Sequence, residues 1–201
     1  MNKVNTILRE VKGKIVTRKE LDNLADKYNF DRINLRKLLL NKKYLLTIFR
    51  GIYYIKSYDE KKFAAIKYSA YESLAIGLKI KGVKWYFGLN TALKFLNVTH
   101  EIFPVNIVIN NKFNRSSPMK IMGSDFLFIK IKTSLFYGLK KLTTNNNIAL
   151  YYSSLEKTLL DFIYLKRAIN LKEYKFNKRL LKELLQRYNK NVKKKLPEGI
   201  I

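Results

Sequence analysis

The segment DRINLRKLLLNKKYLLTIFRGIYYIK, residues 31–56, decides the fold of the first part of the chain. Its first half repeats apolar residues at helical spacing after Asp31, a suitable N-cap, which predicts a helix over 31–43. Its second half consists of two β-prone runs joined around Arg50-Gly51, which predicts a hairpin with glycine at the turn. The residues before this segment indicate the type of small domain to which the helix and the hairpin belong.

Those preceding residues predict two further helices and a short strand. An apolar face over 2–11 indicates the first helix, which Gly13 ends, and 14–16 have β character. Thr17 and Glu20 have the spacing of a capping box, which predicts that a second helix begins there. Three short helices, a small strand after the first and a terminal hairpin are the order of a winged helix-turn-helix, with the hairpin as the wing.

The charge of the chain indicates a polyanionic partner. Lys and Arg number 41 against 15 Asp and Glu, a formal charge of +26, and residues 1–57 hold +9 of it. Such an excess repels itself and usually persists where nucleic acid is bound. The alternative source is a genome rich in A and T, which raises lysine content without selection for binding.

The predicted third helix and the wing carry the side chains that could contact double-stranded DNA. A helix in the major groove offers its donors to phosphates and base edges, and a wing tip can reach a minor groove or a phosphate. The alternative is a solvated helix face and an arginine in the turn without a partner. The residues predicted to contact DNA are Arg32, Asn34, Arg36, Lys37, Asn41 and Arg50.

A polar break at 58–62 places the predicted boundary between a first domain, 1–57, and a second domain, 58–201. Helical and strand patterns alternate in the second domain, which predicts a mixed α/β domain and, for the whole chain, the α+β class. The predicted helices cover 63–80, 89–96, 154–167 and 171–189, and the predicted strands cover 103–109, 126–131 and 147–152.

The C-terminal region of the second domain is strongly basic. Residues 166–195 hold 12 basic and two acidic residues. A second contact with a polyanion and a disordered basic tail are both compatible with this composition, and the sequence leaves the two open.

Several functional classes are excluded or disfavoured. The chain has no cysteine and only His100 as an imidazole, so sites built from Cys or several His are excluded and no metal or cofactor is expected. Gly123-Ser124-Asp125 resembles the start of a nucleotidyltransferase signature, but the further carboxylates that would hold magnesium do not follow. No apolar run reaches the length of a signal peptide or the roughly 18 residues of a membrane helix, so the expectation is a cytoplasmic protein without enzymatic activity and without membrane contact.

Glu156 and Asp161 invite an acid-base interpretation. Five residues apart on a helix, they point about 140° from each other and do not easily share one substrate atom. A cap or a salt bridge with Lys157 or Arg167 is the favoured role.

Three further segments, taken in order, resemble the AbiEi-type antitoxins of type IV toxin-antitoxin systems over most of residues 1–165. Arg50-Gly51-Ile52-Tyr53 is similar to that family's R-G-V-Y segment. The run from Tyr86 to Leu93, YFGLNTAL, is similar to its Y-x-S-x-x-S-A-L helix start, although Gly88 and Asn90 stand where the family often has Ser or Thr. The run from Ser154 to Asp161, SLEKTLLD, is similar to its E-[RK]-T-L-L-D helix.

The resemblance implies a prokaryotic transcriptional autorepressor that binds its own operator through the winged domain. It also implies a second domain that counters a nucleotidyltransferase-like toxin encoded next to it, with direct contact left open. The alternative is a winged-helix adaptor that binds RNA or a protein partner, has no antitoxin activity and uses its basic surface for steering.

Overall fold

The computed structural model describes residues 3–11 and 13–196. The chain divides into two compact units, Met1–Lys81 with Ile121–Gly123, and Gly82–Lys120 with Ser124–Ile201. Helices and two β-sheets in the described residues confirm the α+β class. Asn2, where the first helix is predicted to begin, and 197–201 at the end of the predicted tail lie outside the described residues.

The first unit contains the helices and the hairpin predicted from the sequence. The strands form an antiparallel sheet in the order β1-β3-β2, so the first strand pairs with the second strand of the hairpin. The elements of this unit are α1 Lys3–Val11, β1 Lys14–Thr17, α2 Arg18–Lys27, α3 Arg32–Asn41, β2 Leu45–Phe49, β3 Ile52–Ile55, α4 Tyr58–Phe63 and α5 Ala70–Ile80.

Local hydrogen bonds set the ends of α2 and α3 where the sequence predicts them. Thr17 and Glu20 form the expected capping box at the start of α2. Asp31 caps α3 by accepting a hydrogen bond from the Asn34 amide at 2.8 Å. These caps satisfy amide groups that have no partner inside the helix.

An apolar core joins the three helices to the sheet. The fully buried side chains Ile7 of α1, Leu21 of α2, and Leu35 and Leu39 of α3 meet Ile55 of β3 in this core. At about 25 cal/mol per Å² of buried apolar area, such packing is the main term that stabilises a unit of this size.

The helix predicted over 63–80 is correct only from Ala70 onward, because α4 ends at Phe63 and residues 64–69 are not helical. Ala64 has a left-handed φ of 53° and ends α4, and the capping box of Ser69 with Glu72 starts α5. Both helices belong to the first unit, which therefore extends to Lys81 and past the boundary predicted after residue 57. The physical reason is the contact of α4 with α1 and of α5 with β1 and β2.

The second unit is built around a mixed sheet in the order β6-β7-β5-β4-β9-β8. Parallel pairing joins β5 to β7 and β4 to β9, whereas β4–β5 and β8–β9 are antiparallel. The elements are β4 Trp85–Phe87, α6 Leu89–Phe95, β5 Val105–Asn110, β6 Met119–Ile121, β7 Ser124–Lys130, β8 Leu139–Thr143, β9 Ala149–Ser153, α7 Leu155–Tyr164, α8 Lys178–Leu185 and α9 Lys190–Lys194.

The basic C-terminal region is folded through residue 196, so the alternative of a disordered tail is wrong for these residues. Helix α8 buries Leu181, Leu184 and Leu185 in the core of the second unit, and Val192 and Leu196 are buried after it. The helix predicted over 171–189 is shorter than expected, because Asn177 and Asn189 each cap a new helix. The cations of this region therefore form the outer face of a packed segment.

No helix in the described part of the chain is long and apolar enough to cross a lipid bilayer.

Candidate nucleic-acid interface

Helix α3 presents an apolar face to the core and a face of mixed polar and apolar residues to solvent. Leu35 and Leu39 are completely buried, whereas Ile33, Lys37 and Leu40 are exposed on the other side of the helix. Residues at positions i, i+4 and i+7 share a helix face. The helix is held by its leucines and leaves a full face for a partner.

Most of the residues predicted to contact DNA have uncommitted polar groups. Arg36 is half-buried, and Asn34, Lys37 and Asn41 are exposed on α3. Within 3–11 and 13–196, their side chains form no ion pair or hydrogen bond with the protein. Their donors can therefore bind phosphate or base edges without first breaking an internal contact.

Arg32 is the exception on α3. Its Nε donates to Asp26 Oδ1 at 2.9 Å and its Nη2 donates to Asp26 Oδ2 at 2.7 Å, a two-pronged pair between α2 and α3. The hydrogen bond with Arg32 lowers the pKa of Asp26, and the same bond raises the pKa of Arg32. Arg32 could approach DNA only by giving up this carboxylate.

The pair lies in an open cleft of about 440 Å³ between α2 and the start of α3. The residues that line the cleft include three arginines and three aspartates: Arg18, Asp22, Asp26, Asp31, Arg32 and Arg36. Because these charges balance, the cleft adds no net positive charge to the surface around it. The positive surface lies farther along the chain, at Lys37, Lys42 and Lys43.

The hairpin turn brings Arg50 next to the start of α2. Phe49 pairs with Ile52, so Arg50 and Gly51 alone form the turn, and Gly51 has a φ of 80° that favours glycine. The Gly51 carbonyl accepts a hydrogen bond from the Arg18 amide at 2.8 Å. Arg50 is exposed at this corner.

Sequence reasoning missed Arg18, although a signal for it was present. The capping box at Thr17 makes Arg18 the first residue of α2, and the hairpin turn bonds to that position. Its side chain is 65% exposed, and its Nε lies 3.7 Å from Asp22 Oδ2 in a weak surface pair. Arg18 and Arg50 therefore form a second cationic corner beside the α2–α3 cleft.

In the second unit, a buried ion pair lies at the centre of a tyrosine cluster. Lys157 and Asp161, one turn apart on α7, form a salt bridge with both side chains fully buried. Lys157 Nζ also contacts the hydroxyls of Tyr188 at 2.7 Å and Tyr86 at 3.1 Å. The same two hydroxyls donate to Asp161, each at 2.7 Å. The predicted salt bridge of Asp161 with Lys157 is confirmed.

The groups of this cluster satisfy one another and have a structural role. Desolvation lowers the pKa of Lys157, although the Asp161 carboxylate opposes that shift. Burial and the Asp161 charge raise the pKa values of Tyr86 and Tyr188, so both hydroxyls keep their protons. Each polar group has its partner inside the cluster, which is the condition for burying charge at tolerable cost.

Glu156 has a separate structural contact. Its Oε1 accepts a hydrogen bond from the Asn177 amide at 3.0 Å, which ties α7 to the residue that caps α8. Glu156 and Asp161 thus serve different contacts and do not converge on one site.

A cavity of about 400 Å³ in the second unit is lined by apolar, polar and charged residues. Glu101, Glu173 and Arg167 contribute charges to it, and burial, followed by the Glu173 charge, raises the pKa of Tyr174 there. Two carboxylates make this cavity a poor site for a phosphate-bearing ligand. In the portion of the chain that the structure describes, no group of three His, Cys, Asp or Glu side chains is arranged to hold a metal ion.

Compared with protein-family models and with curated protein sequences, the chain has no match.

Proposed function

We propose that the first unit is a winged helix-turn-helix that binds double-stranded DNA in a prokaryotic cytoplasm and represses transcription of its own operon. Helices α2 and α3 are the helix pair, and the β2–β3 hairpin is the wing. The observation that carries the proposal is the outward face of α3, where Arg36, Lys37 and Asn41 are uncommitted while buried leucines anchor the opposite face.

The size of an α-helix is compatible with the major groove of DNA. B-DNA admits one α-helix in the groove, and the side chains of that helix then reach base edges and the flanking phosphates. The wing is short because its turn has only Arg50 and Gly51. Arg50 and the neighbouring Arg18 would therefore bind the phosphate backbone beside the helix.

We further propose that the second unit has the antitoxin activity implied by the family resemblance. Two of the resembling segments meet in its core, since Tyr86 from the first hydrogen-bonds to Asp161 and contacts Lys157 from the second. Segments 71 residues apart in sequence are thus parts of one packing unit. Their contact supports the proposal that both segments belong to one domain of the kind that the resemblance implies. The functional partner of that domain would be a nucleotidyltransferase-like toxin.

The DNA binding that repression requires is tested with duplex DNA from upstream of the gene. We expect Arg36→Ala and Arg50→Ala each to weaken binding, by roughly five- to a hundredfold where the lost contact is to a base edge. Arg32→Ala is the matched comparison on the same helix, because Asp26 already holds that guanidinium, and its affinity should stay closer to that of the unaltered protein.

Fluorescence anisotropy on the labelled duplex measures these affinities, with random duplex and a structured RNA as competitors. Unchanged affinity in both Arg36→Ala and Arg50→Ala would refute the assigned surface. Tighter binding to the RNA than to upstream duplex would favour the adaptor alternative.

The antitoxin activity is tested by co-expression with the neighbouring reading frame. If that frame encodes a nucleotidyltransferase-like toxin, we expect growth arrest on its induction and restored growth when the intact chain is present. Arg36→Ala should still restore growth, because the surface for DNA is in the other unit. Arrest that persists beside abundant folded protein would contradict the proposal.

A further inference from the structure

We propose that Ile33 and Leu40 read the 5-methyl groups of thymines in the major groove, so that the bound DNA site contains thymine at two fixed positions. This inference rests on the proposed function, because it requires α3 to enter the groove. These contacts would add selectivity for thymine to the polar contacts of the same helix face.

The first observation is the exposure of two large apolar side chains on the outward face of α3. Ile33 is 51% exposed and Leu40 is 42% exposed, although a helix packed on a core usually carries polar residues on its solvent side. Leu35, Leu39 and the half-buried Leu38 already supply the core face of the helix. Ile33 and Leu40 therefore have no role in the core of the unit.

The second observation is the charge around these two side chains. Lys37 lies between them on the same face, and Arg36, Lys42 and Lys43 flank it. Ile33 also borders the α2–α3 cleft, where three arginines balance three aspartates. Protein interfaces exclude lysine from their apolar centre. A partner protein would have to bury Lys37 between Ile33 and Leu40, whereas DNA offers it phosphates and base acceptors.

The major groove offers an apolar group at thymine alone. Each thymine exposes a 5-methyl group there, and apolar side chains contact that group in sequence-specific complexes. Seven residues of helix span about 10 Å. With a rise of about 3.4 Å per base pair, the two contacted thymines should lie about three base pairs apart.

The test replaces thymine by deoxyuridine, which removes only the 5-methyl group. A duplex site is first selected from a random pool with the full chain, and each thymine in it is then replaced singly. We expect two replacements to weaken binding by about fourfold each, the value for one buried methyl group. The remaining replacements should leave affinity unchanged.

The side-chain variants assign each methyl to its partner. In Ile33→Ala the penalty for one deoxyuridine should disappear while the other remains, and Leu40→Ala should give the converse result. Ile80→Ala, 44% exposed on α5, and Leu142→Ala, 43% exposed on β8, are the matched controls and should retain both penalties.

The outcomes separate this inference from the proposed function. Equal binding of thymine and uracil duplexes, with affinity still lowered by Arg36→Ala, overturns the methyl contacts and leaves the DNA-binding proposal standing. Failure to select any duplex overturns both. Penalties that persist in Ile33→Ala and Leu40→Ala overturn the assignment to these two residues.

Discussion

Replacing Lys157 by methionine should lower the free energy of unfolding of the second unit by about 3 to 5 kcal/mol, the usual cost of leaving a buried charge without its partner. Asp161 would keep its carboxylate in a site where it is completely buried, with only the Tyr86 and Tyr188 hydroxyls as donors. The expected result is earlier unfolding in urea, measured by circular dichroism and tyrosine fluorescence.

A double-mutant cycle separates the ion pair from packing. Asp161→Asn removes the acidic charge and keeps an acceptor for the tyrosine hydroxyls, so the double variant with Lys157→Met should lose less stability than the two single losses added together. Lys94→Met, an exposed lysine on α6, is the control and should change stability by less than about 0.5 kcal/mol. Unfolding of Lys157→Met at the same urea concentration as the unaltered chain would show that the cluster does not anchor α7.

The salt dependence of DNA binding should be the second large effect. If the surface neutralises about 6 to 10 phosphates, the affinity should fall by roughly three to five orders of magnitude between about 50 and about 200 mM salt. The cause is the release of counterions from DNA when lysine and arginine replace them. Binding isotherms over a salt series give the slope of log affinity against log salt concentration.

Charge variants locate the phosphates on the protein. The double variant Arg36→Gln with Lys37→Gln should make the slope shallower by about two if both residues contact phosphate. The matched control is Lys140→Gln with Lys141→Gln, which removes the same charge from the edge strand β8. Lysines on an edge strand protect the sheet from pairing with other chains, which gives these two a separate role. Equal changes of slope in both double variants would contradict a localised surface on α3.

The basic C-terminal region changes how the net charge is interpreted. Composition alone leaves a second contact with a polyanion and a disordered basic tail both open, but Leu181 and Leu185 pack α8 into the core of the second unit. Its cations are therefore displayed at fixed positions. The charge of +26 is distributed over two folded units, and residues 1–57 hold +9 of it.

Much of the first unit is encoded locally and was predictable for that reason. The capping box at Thr17, the cap at Asp31 and the two-residue turn at Arg50-Gly51 depend on groups within a few residues of each other. Apolar periodicity predicts a continuous helix over 63–80, whereas the capping box of Ser69 with Glu72, also a local signal, begins a new helix at Ala70.

For the candidate site, the sequence predicted which cationic residues belong to it but not which contacts they make. Helical spacing identified Arg36 and Lys37 as outward residues, but it could not distinguish them from Arg32, whose pairing with Asp26 depends on how the chain turns between α2 and α3. Helical spacing does not reveal the exposure of Ile33 either, because Ile33 is one apolar residue among several in the same segment. Which apolar residues are buried depends on the shape of the core.

By itself, then, the sequence determined the order of the helices and the hairpin, the main caps and the excess of positive charge, since each is a property of neighbouring residues or of composition. Only the tertiary structure decided the strand order β1-β3-β2, the parallel pairing of β5 with β7, and the burial of Lys157 among Tyr86 and Tyr188. These features join residues far apart in the chain, and their partners are chosen by packing of the whole unit, which no local pattern contains.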